Sequence, residues 1–225
     1  MTEPHTFLFA DLAGFTAMTE VHGDEVAADA VADFCRGVRG LLGQFEAEEI
    51  KSIGDAVMLR VPDASAAIHL AVRLIGEVGT RHGSLAVRVG AHTGSAVHRD
   101  GDWFGAAVNL AARVAAVAER GEVLMTEVTR SAAGAAVARY EIEARPSRQF
   151  KNIAEPVALY ALTLASQPQV ASLPNDPVCR MAVDPNESEE RRTWNGVEIC
   201  FCSAECAAVF DRHPERYAVE HAAAG

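Results

Sequence analysis

Ten residues, Ile50-Lys51-Ser52-Ile53-Gly54-Asp55-Ala56-Val57-Met58-Leu59, restrict this chain more than any other stretch. They read as two short strands interrupted by Gly54-Asp55, a dipeptide suited to a tight hairpin turn. The turn holds one carboxylate between two buried strands. Such an acid does little for packing and is well placed to hold a hard cation. Lys51, on the same hairpin, is close enough to reach the same pocket.

A second acid stands upstream. Thr6 to Ala10 is apolar throughout, which predicts a buried central strand ending at Asp11. Leu12 to Thr16 then reads as a turn, and apolar residues from Val31 to Phe45 recur at helical spacing within Asp24 to Glu46. Asp63 is placed to cap a helix carrying Ile68, Ala71, Val72 and Ile75. Leu85 to His92 alternates as a strand, with Ser95 to His98 as its expected hairpin partner. A helix over Phe104 to Ala118, a strand over Glu122 to Thr126 and a last strand over Val157 to Leu164 complete the first unit. Gln167 to Pro174 reads as a linker.

Asp11 and Asp55 both lie at strand ends, so one sheet can bring them together. Two neighbouring carboxylates raise each other's pKa unless a cation neutralises them. Oxygen ligands of this kind suit Mg²⁺ or Mn²⁺, which bind one or two carboxylates together with substrate phosphates. The formal net charge of −11 argues against a nucleic-acid surface. No apolar run approaches the roughly 20 residues of a membrane helix. The first residues lack a basic segment of the signal-peptide kind, so the expected compartment is the cytoplasm. There thiols stay reduced, and the crowding of Cys179, Cys200, Cys202 and Cys206 near the C-terminus points to a metal site rather than a disulfide framework.

Three separated blocks carry a family resemblance: Phe9-Ala-Asp11-Leu-Ala-Gly-Phe-Thr16, Lys51-Ser-Ile-Gly-Asp55 and Asp102-Trp-Phe-Gly-Ala-Ala-Val-Asn109-Leu-Ala-Ala-Arg113. Together with Val87 to Gly94 and Gly121 to Met125, they resemble the catalytic domain of class III nucleotide cyclases over about residues 5 to 164. The resemblance implies an α+β, ferredoxin-like fold, a central mostly antiparallel sheet with flanking helices. It also implies that Asp11, Asp55 and the backbone carbonyl of Leu12 hold two divalent ions, Mg²⁺ or Mn²⁺. Asn109 would orient the ribose, and Arg113, one helical turn on, would stabilise charge on the α-phosphate. Lys51 and Asp102 would read the base. A lysine donor and a carboxylate acceptor match N1 and N6 of adenine and oppose both edges of guanine, which makes ATP the expected substrate. In this family the metal acids and the base and ribose groups come from different chains, so a head-to-tail homodimer with composite sites is implied. The resemblance also implies a triphosphate-binding residue on the loop before the last strand, for which Lys151, Arg148 or neither serves, with Lys151 carried as the candidate.

Asp176-Pro-Val-Cys179, Gly196, Phe201-Cys202-Ser-Ala-Glu-Cys206, Phe210 and Pro214 to Tyr217 resemble the YHS domain, a small cysteine-bearing module associated with metal binding. A unit this short needs more than its core for stability, and a metal can supply the difference. Cys179, Cys202 and Cys206 form the implied thiolate set for Zn²⁺ or Cu⁺. Cys200 is either a fourth ligand or a small buried hydrophobe.

The expected organisation is therefore a catalytic domain over 1–166, a linker over 167–174 and a YHS-like domain over 175–218. The expected function is an adenylate cyclase forming 3′,5′-cyclic AMP and pyrophosphate, with the small module tuning activity. The alternative is a catalytically weak nucleotide-binding or metal-sensing protein on a degenerate cyclase fold.

Overall fold

The computed structural model describes residues 3–80, 83–163 and 173–217. The linker expectation falls mostly on 164–172, outside the described residues. The architecture is α+β, with a seven-stranded sheet at its centre. Its strands are β1 (His5–Ala13), β2 (Glu48–Ile53), β3 (Ala56–Val61), β4 (Ala86–Gly94), β7 (Val123–Thr126), β8 (Glu141–Arg148) and β9 (Val157–Thr163). They lie in the order β2-β3-β1-β4-β7-β9-β8, and every neighbouring pair is antiparallel except β4 with β7.

Strand alternation divides the core. Leu8, Ala10 and Leu12 of β1 face a cluster with Met18, Phe34, Ile68 and Leu70, which come from α1 (Phe15–Leu42) and α2 (Ala64–Arg73). Phe7 and Phe9 face the opposite way, against Met58 and Ala107, Ala111 and Ala115 of α3 (Ala106–Ala115). Both faces of β1 are therefore covered, which is why its residues read as a continuous apolar run. Small residues let α3 settle close to the sheet. A Cβ on Gly90 would lie 2.0 Å from the Ala115 nitrogen, so glycine is required at this crossing.

The hairpin of β2 and β3 turns at Gly54, where φ is +61°. Asp63 caps α2, its Oδ1 accepting from the Ala66 amide at 2.8 Å. The structure departs from the sequence expectation at several places, among them these. Helix α1 begins at Phe15, not Asp24, and passes through a break at Gly23 (φ 82°, ψ 175°), while β1 runs on to Ala13, so the expected turn over Leu12 to Thr16 shrinks to Gly14. Ser95 to His98 also does not pair back on β4, because β1 and β7 already occupy both of its edges. Instead, β5 (Val97–Arg99) pairs with β6 (Asp102–Phe104) across a turn in which Asp100 and Gly101 both have positive φ.

The C-terminal unit contains a hairpin of β10 (Glu190–Trp194) and β11 (Val197–Phe201), turned at Asn195-Gly196, followed by α5 (Ala204–Arg212) and α6 (Pro214–Tyr217). Phe201 and Phe210 pack in its core with ring centroids 5.1 Å apart. It rests on the first unit through an isolated bridge between Leu85 and Met181. Reciprocal backbone bonds reinforce that contact, from the Gly83 amide to the Ala182 carbonyl and from the Ala182 amide to the Ser84 carbonyl, both 2.8 Å. Arg120 adds hydrogen bonds to Asn175 Oδ1 at 2.6 Å and to the Arg180 carbonyl at 2.9 Å.

Candidate active site and cysteine cluster

Antiparallel pairing of β1 with β3 sets Asp11 opposite Ala56, beside the turn that carries Asp55. The Leu12 amide donates to the Asp55 carbonyl at 3.3 Å, which ties β1 beside Asp11 to the turn that carries Asp55. On the other side of β1, Asp11 is in register with Arg88 of β4. Arg88 donates from Nε to Asp11 Oδ2 at 2.7 Å, and its Nη2 contacts the same oxygen. Burial raises the Asp55 pKa, and the neighbouring Asp11 charge raises it further; Arg88 only partly opposes them. An all-oxygen donor set under this electrostatic pressure fits a hard divalent cation. Arg88 escaped the sequence reading because alternation marks it only as the polar side of a strand.

Lys51 and Asp102 meet as well. Lys51 Nζ donates to Asp102 Oδ2 at 2.5 Å, across 51 positions of sequence. The same carboxylate accepts the Trp103 amide at Oδ1, 2.8 Å away. These hydrogen bonds, that of Lys51 foremost, hold the Asp102 pKa below its usual range. Trp103 packs among His5, Phe7 and His98, with the Arg60 guanidinium 5.2 Å from its ring centroid.

Asn109 and Arg113 lie one turn apart on α3, Asn109 exposed and Arg113 half-buried. Arg113 Nη1 donates to the backbone carbonyl of Lys151. The Lys151 side chain is exposed, and Arg148 is on β8, paired with Val157. Asp11 thus neighbours Asp55, Lys51 contacts Asp102, and Arg113 contacts the Lys151 backbone.

In the C-terminal unit, Cys179, Cys202 and Cys206 converge, with Cys202 Sγ 3.4 Å from Cys179 Sγ and 3.7 Å from Cys206 Sγ. Asp176, fully buried, organises them. Its Oδ1 accepts the amides of Val178 and Cys179 at 2.8 and 3.2 Å, and its Oδ2 accepts the Cys202 amide at 2.9 Å. Ser203 caps α5 by accepting the Cys206 amide at 3.3 Å. Cys200 is not in the group. It sits in β11 opposite Arg191, and Cys202 lies beyond the strand end, where alternation no longer relates the two side chains. The fourth donor near these sulfurs is His22 of α1, which sequence reasoning did not select because it is far away in the chain and beside a helix break.

A sheet with paired acids at one end and an Asn/Arg pair on the helix across it defines the catalytic domain of nucleotide cyclases. The chain belongs to the family described as Adenylate and Guanylate cyclase catalytic domain, which matches residues 1–163, and a YHS domain matches 175–221. It is 40% identical over 132 residues to a pH-sensitive adenylate cyclase of Mycobacterium tuberculosis, covering 57% of this chain and 32% of that protein. It is 36% identical over 117 residues to an adenylate cyclase of Streptomyces griseus, covering 52% and 29%. The chain thus spans about a third of the length of these relatives. Among solved structures, an adenylate cyclase of Trypanosoma brucei in its monomeric state superposes with a TM-score of 0.62 at 27% identity, covering 72% of this chain and 90% of that one. An adenylate/guanylate cyclase/hydrolase from Silicibacter pomeroyi gives 0.63 at 25%, covering 71% and 96%.

Proposed function

We propose that this chain is an adenylate cyclase, converting ATP to 3′,5′-cyclic AMP and pyrophosphate at sites shared between two copies. The contact between Lys51 and Asp102 carries the reading, since it sets a donor beside an acceptor at 2.5 Å. Adenine offers N1 as acceptor and the N6 amine as donor, so this pair meets both. With Lys51 at N1 and Asp102 at the 6-position, guanine presents the opposite polarity at both and would leave two polar groups mismatched, each costing about 1–3 kcal/mol.

The reaction forms a bond from the ribose 3′-oxygen to the α-phosphorus and breaks the bond to the β-phosphate oxygen. Two divalent cations held by Asp11, Asp55 and the Leu12 carbonyl would acidify the 3′-hydroxyl and neutralise the triphosphate. Asn109 orients the ribose. Arg113 exchanges the Lys151 carbonyl for the α-phosphate, where it offsets the charge that builds during transfer. Arg88, freed from Asp11 when that acid is neutralised, lies at the same sheet end and takes the departing phosphates. Lys151 is a further triphosphate contact.

The composite site is what the cyclase family resemblance implies for these residues. Around Lys51 and Asp102, Ile53, Val97 and Phe104 are each about half exposed, with values of 51%, 53% and 52%. Apolar residues on this face suit an interface between two copies in C₂ symmetry.

The test is a cyclase assay with Mn²⁺ and either ATP or GTP, alongside Asp55→Ala. Cyclic AMP from the unmodified chain and none from the variant is the expected result. Preferential turnover of GTP would overturn the base assignment. No product at concentrations that force dimers would leave nucleotide binding without turnover as the function.

A further inference from the structure

We propose that His22 of the catalytic domain is the fourth ligand of a zinc site completed by Cys179, Cys202 and Cys206, so that one ion fastens the C-terminal unit to helix α1. The proposal extends the three-thiolate reading of that unit and is independent of the cyclase chemistry.

The distances fit the ion. His22 Nε2 lies 3.5 Å from Cys202 Sγ and 3.5 Å from Cys206 Sγ, and all four donor atoms fall within 4.8 Å of one another. Tetrahedral zinc, with bonds of about 2.3 Å to sulfur and about 2.0–2.1 Å to nitrogen, requires edges of about 3.8 Å between sulfurs and about 3.6 Å from sulfur to nitrogen. The observed sulfur separations of 3.4 and 3.7 Å and the two nitrogen separations are close to these edges. Three sulfurs and an imidazole, with no carboxylate among them, exclude the hard cations of the catalytic acids. Four closed donors favour zinc over a metal that prefers fewer ligands.

The surroundings are built for this purpose. Asp176 fixes the Cys179 and Cys202 backbones, and Ser203 fixes that of Cys206. His22 is the last residue before the break at Gly23, so it ends a short rigid segment that starts at Phe15. At the other end of that segment the C-terminal unit touches again: a Cβ on Gly14 would lie 2.7 Å from Arg180 Cβ. The C-terminal unit therefore grips Phe15 to His22 at both ends, and Gly14 is three residues from Asp11. Occupancy of the cysteine site would fix the position of the loop that follows the catalytic acid.

The experiment uses the full chain. Zinc content is measured, affinity is obtained by chelator competition, and Co²⁺ replaces zinc for its ligand-sensitive spectrum. One zinc per chain is expected. His22→Ala should weaken binding at least about tenfold and change the Co²⁺ spectrum, Cys200→Ala should do neither, and His22→Cys should restore tight binding, which separates a lost ligand from a misfolded chain. Chelation should also speed hydrogen exchange at the Gly83 and Ala182 amides. Wild-type affinity and spectrum in His22→Ala, or an unmodified chain that takes up no zinc, would overturn the proposal. Exchange at those amides indifferent to chelation would overturn the fastening. None of these readouts involves ATP, so failure here and failure of the cyclase assignment are distinguishable.

Discussion

Arg88 donates to Asp11 from the neighbouring strand at 2.7 Å, so one of the two proposed metal acids holds a fixed internal cation while Asp55 beside it has no such direct partner among the described contacts. The asymmetry makes the arginine a competitor for the site. Arg88→Gln should lower the melting temperature without divalent ions and enlarge the rise produced by Mn²⁺, while reducing turnover. Thermal melts across a Mn²⁺ titration, paired with initial rates, measure both. An unchanged Mn²⁺ response would show that Arg88 does not compete for Asp11.

Asp55 titrates above the ordinary carboxylate range, through burial first and Asp11 second. A carboxyl raised in the fold contributes stability below its unfolded pKa and loses it as pH rises through the folded value. Without divalent ions, the unmodified chain should therefore lose stability across that window. Asp55→Asn should flatten this part of the pH profile and melt about 2 °C higher at neutral pH, a shift on the scale of 1 kcal/mol or less. It should also abolish the Mn²⁺ effect. A variant that still responds to Mn²⁺ would move the cation away from Asp55.

Lys51→Ala and Asp102→Ala should each cut kcat/KM for ATP by roughly 10- to 100-fold, the equivalent of about 1–3 kcal/mol for one mismatched polar group. The loss with GTP should be smaller, so the ATP-to-GTP ratio falls. Equal losses with both nucleotides would mean that the pair does not read the base.

Arg113→Ala should lower kcat by about 10²- to 10³-fold, as expected for a group that meets charge developing in the transition state. Mixed in equal amounts with Asp55→Ala, it should recover about a quarter of wild-type activity, because half of randomly formed pairs contain one intact site. A mixture as inactive as its parts would argue that each site belongs to a single chain.

Gly90→Ala would drive a methyl into the Ala115 backbone. Expected is a loss of about 2 kcal/mol, seen as a fall of about 4–8 °C in melting temperature. Displacement of α3 should also lower turnover through Asn109 and Arg113. A variant as stable as the parent would mean that helix and sheet can separate more easily than this packing implies.

Much of this was legible because local chemistry and tertiary position agree. Gly54-Asp55 is a turn in sequence and in space, Asp63 caps where its pattern indicates, and Asn109 and Arg113 share a helix face by spacing alone. What escaped depends on neighbours distant in sequence. Arg88 acquires meaning only through its register with Asp11, and His22 only when a segment up to 184 residues away settles beside it. The partner of Val97 to Arg99 was misjudged because no local signal reports that both edges of β4 are taken.

The register between β1 and β4 also bears on which length changes the chain can absorb. One residue inserted or deleted between Thr6 and Asp11 would turn the acid to the opposite face and bring an apolar neighbour before Arg88. An extra residue at the Asp100-Gly101 turn would leave that pairing untouched, since β5 and β6 form a separate two-stranded ladder. A length change in β1 thus dismantles the acid pair itself, whereas one at that turn is felt on the Lys51 and Asp102 side, so β1 is closed to insertions and the turn is not neutral either.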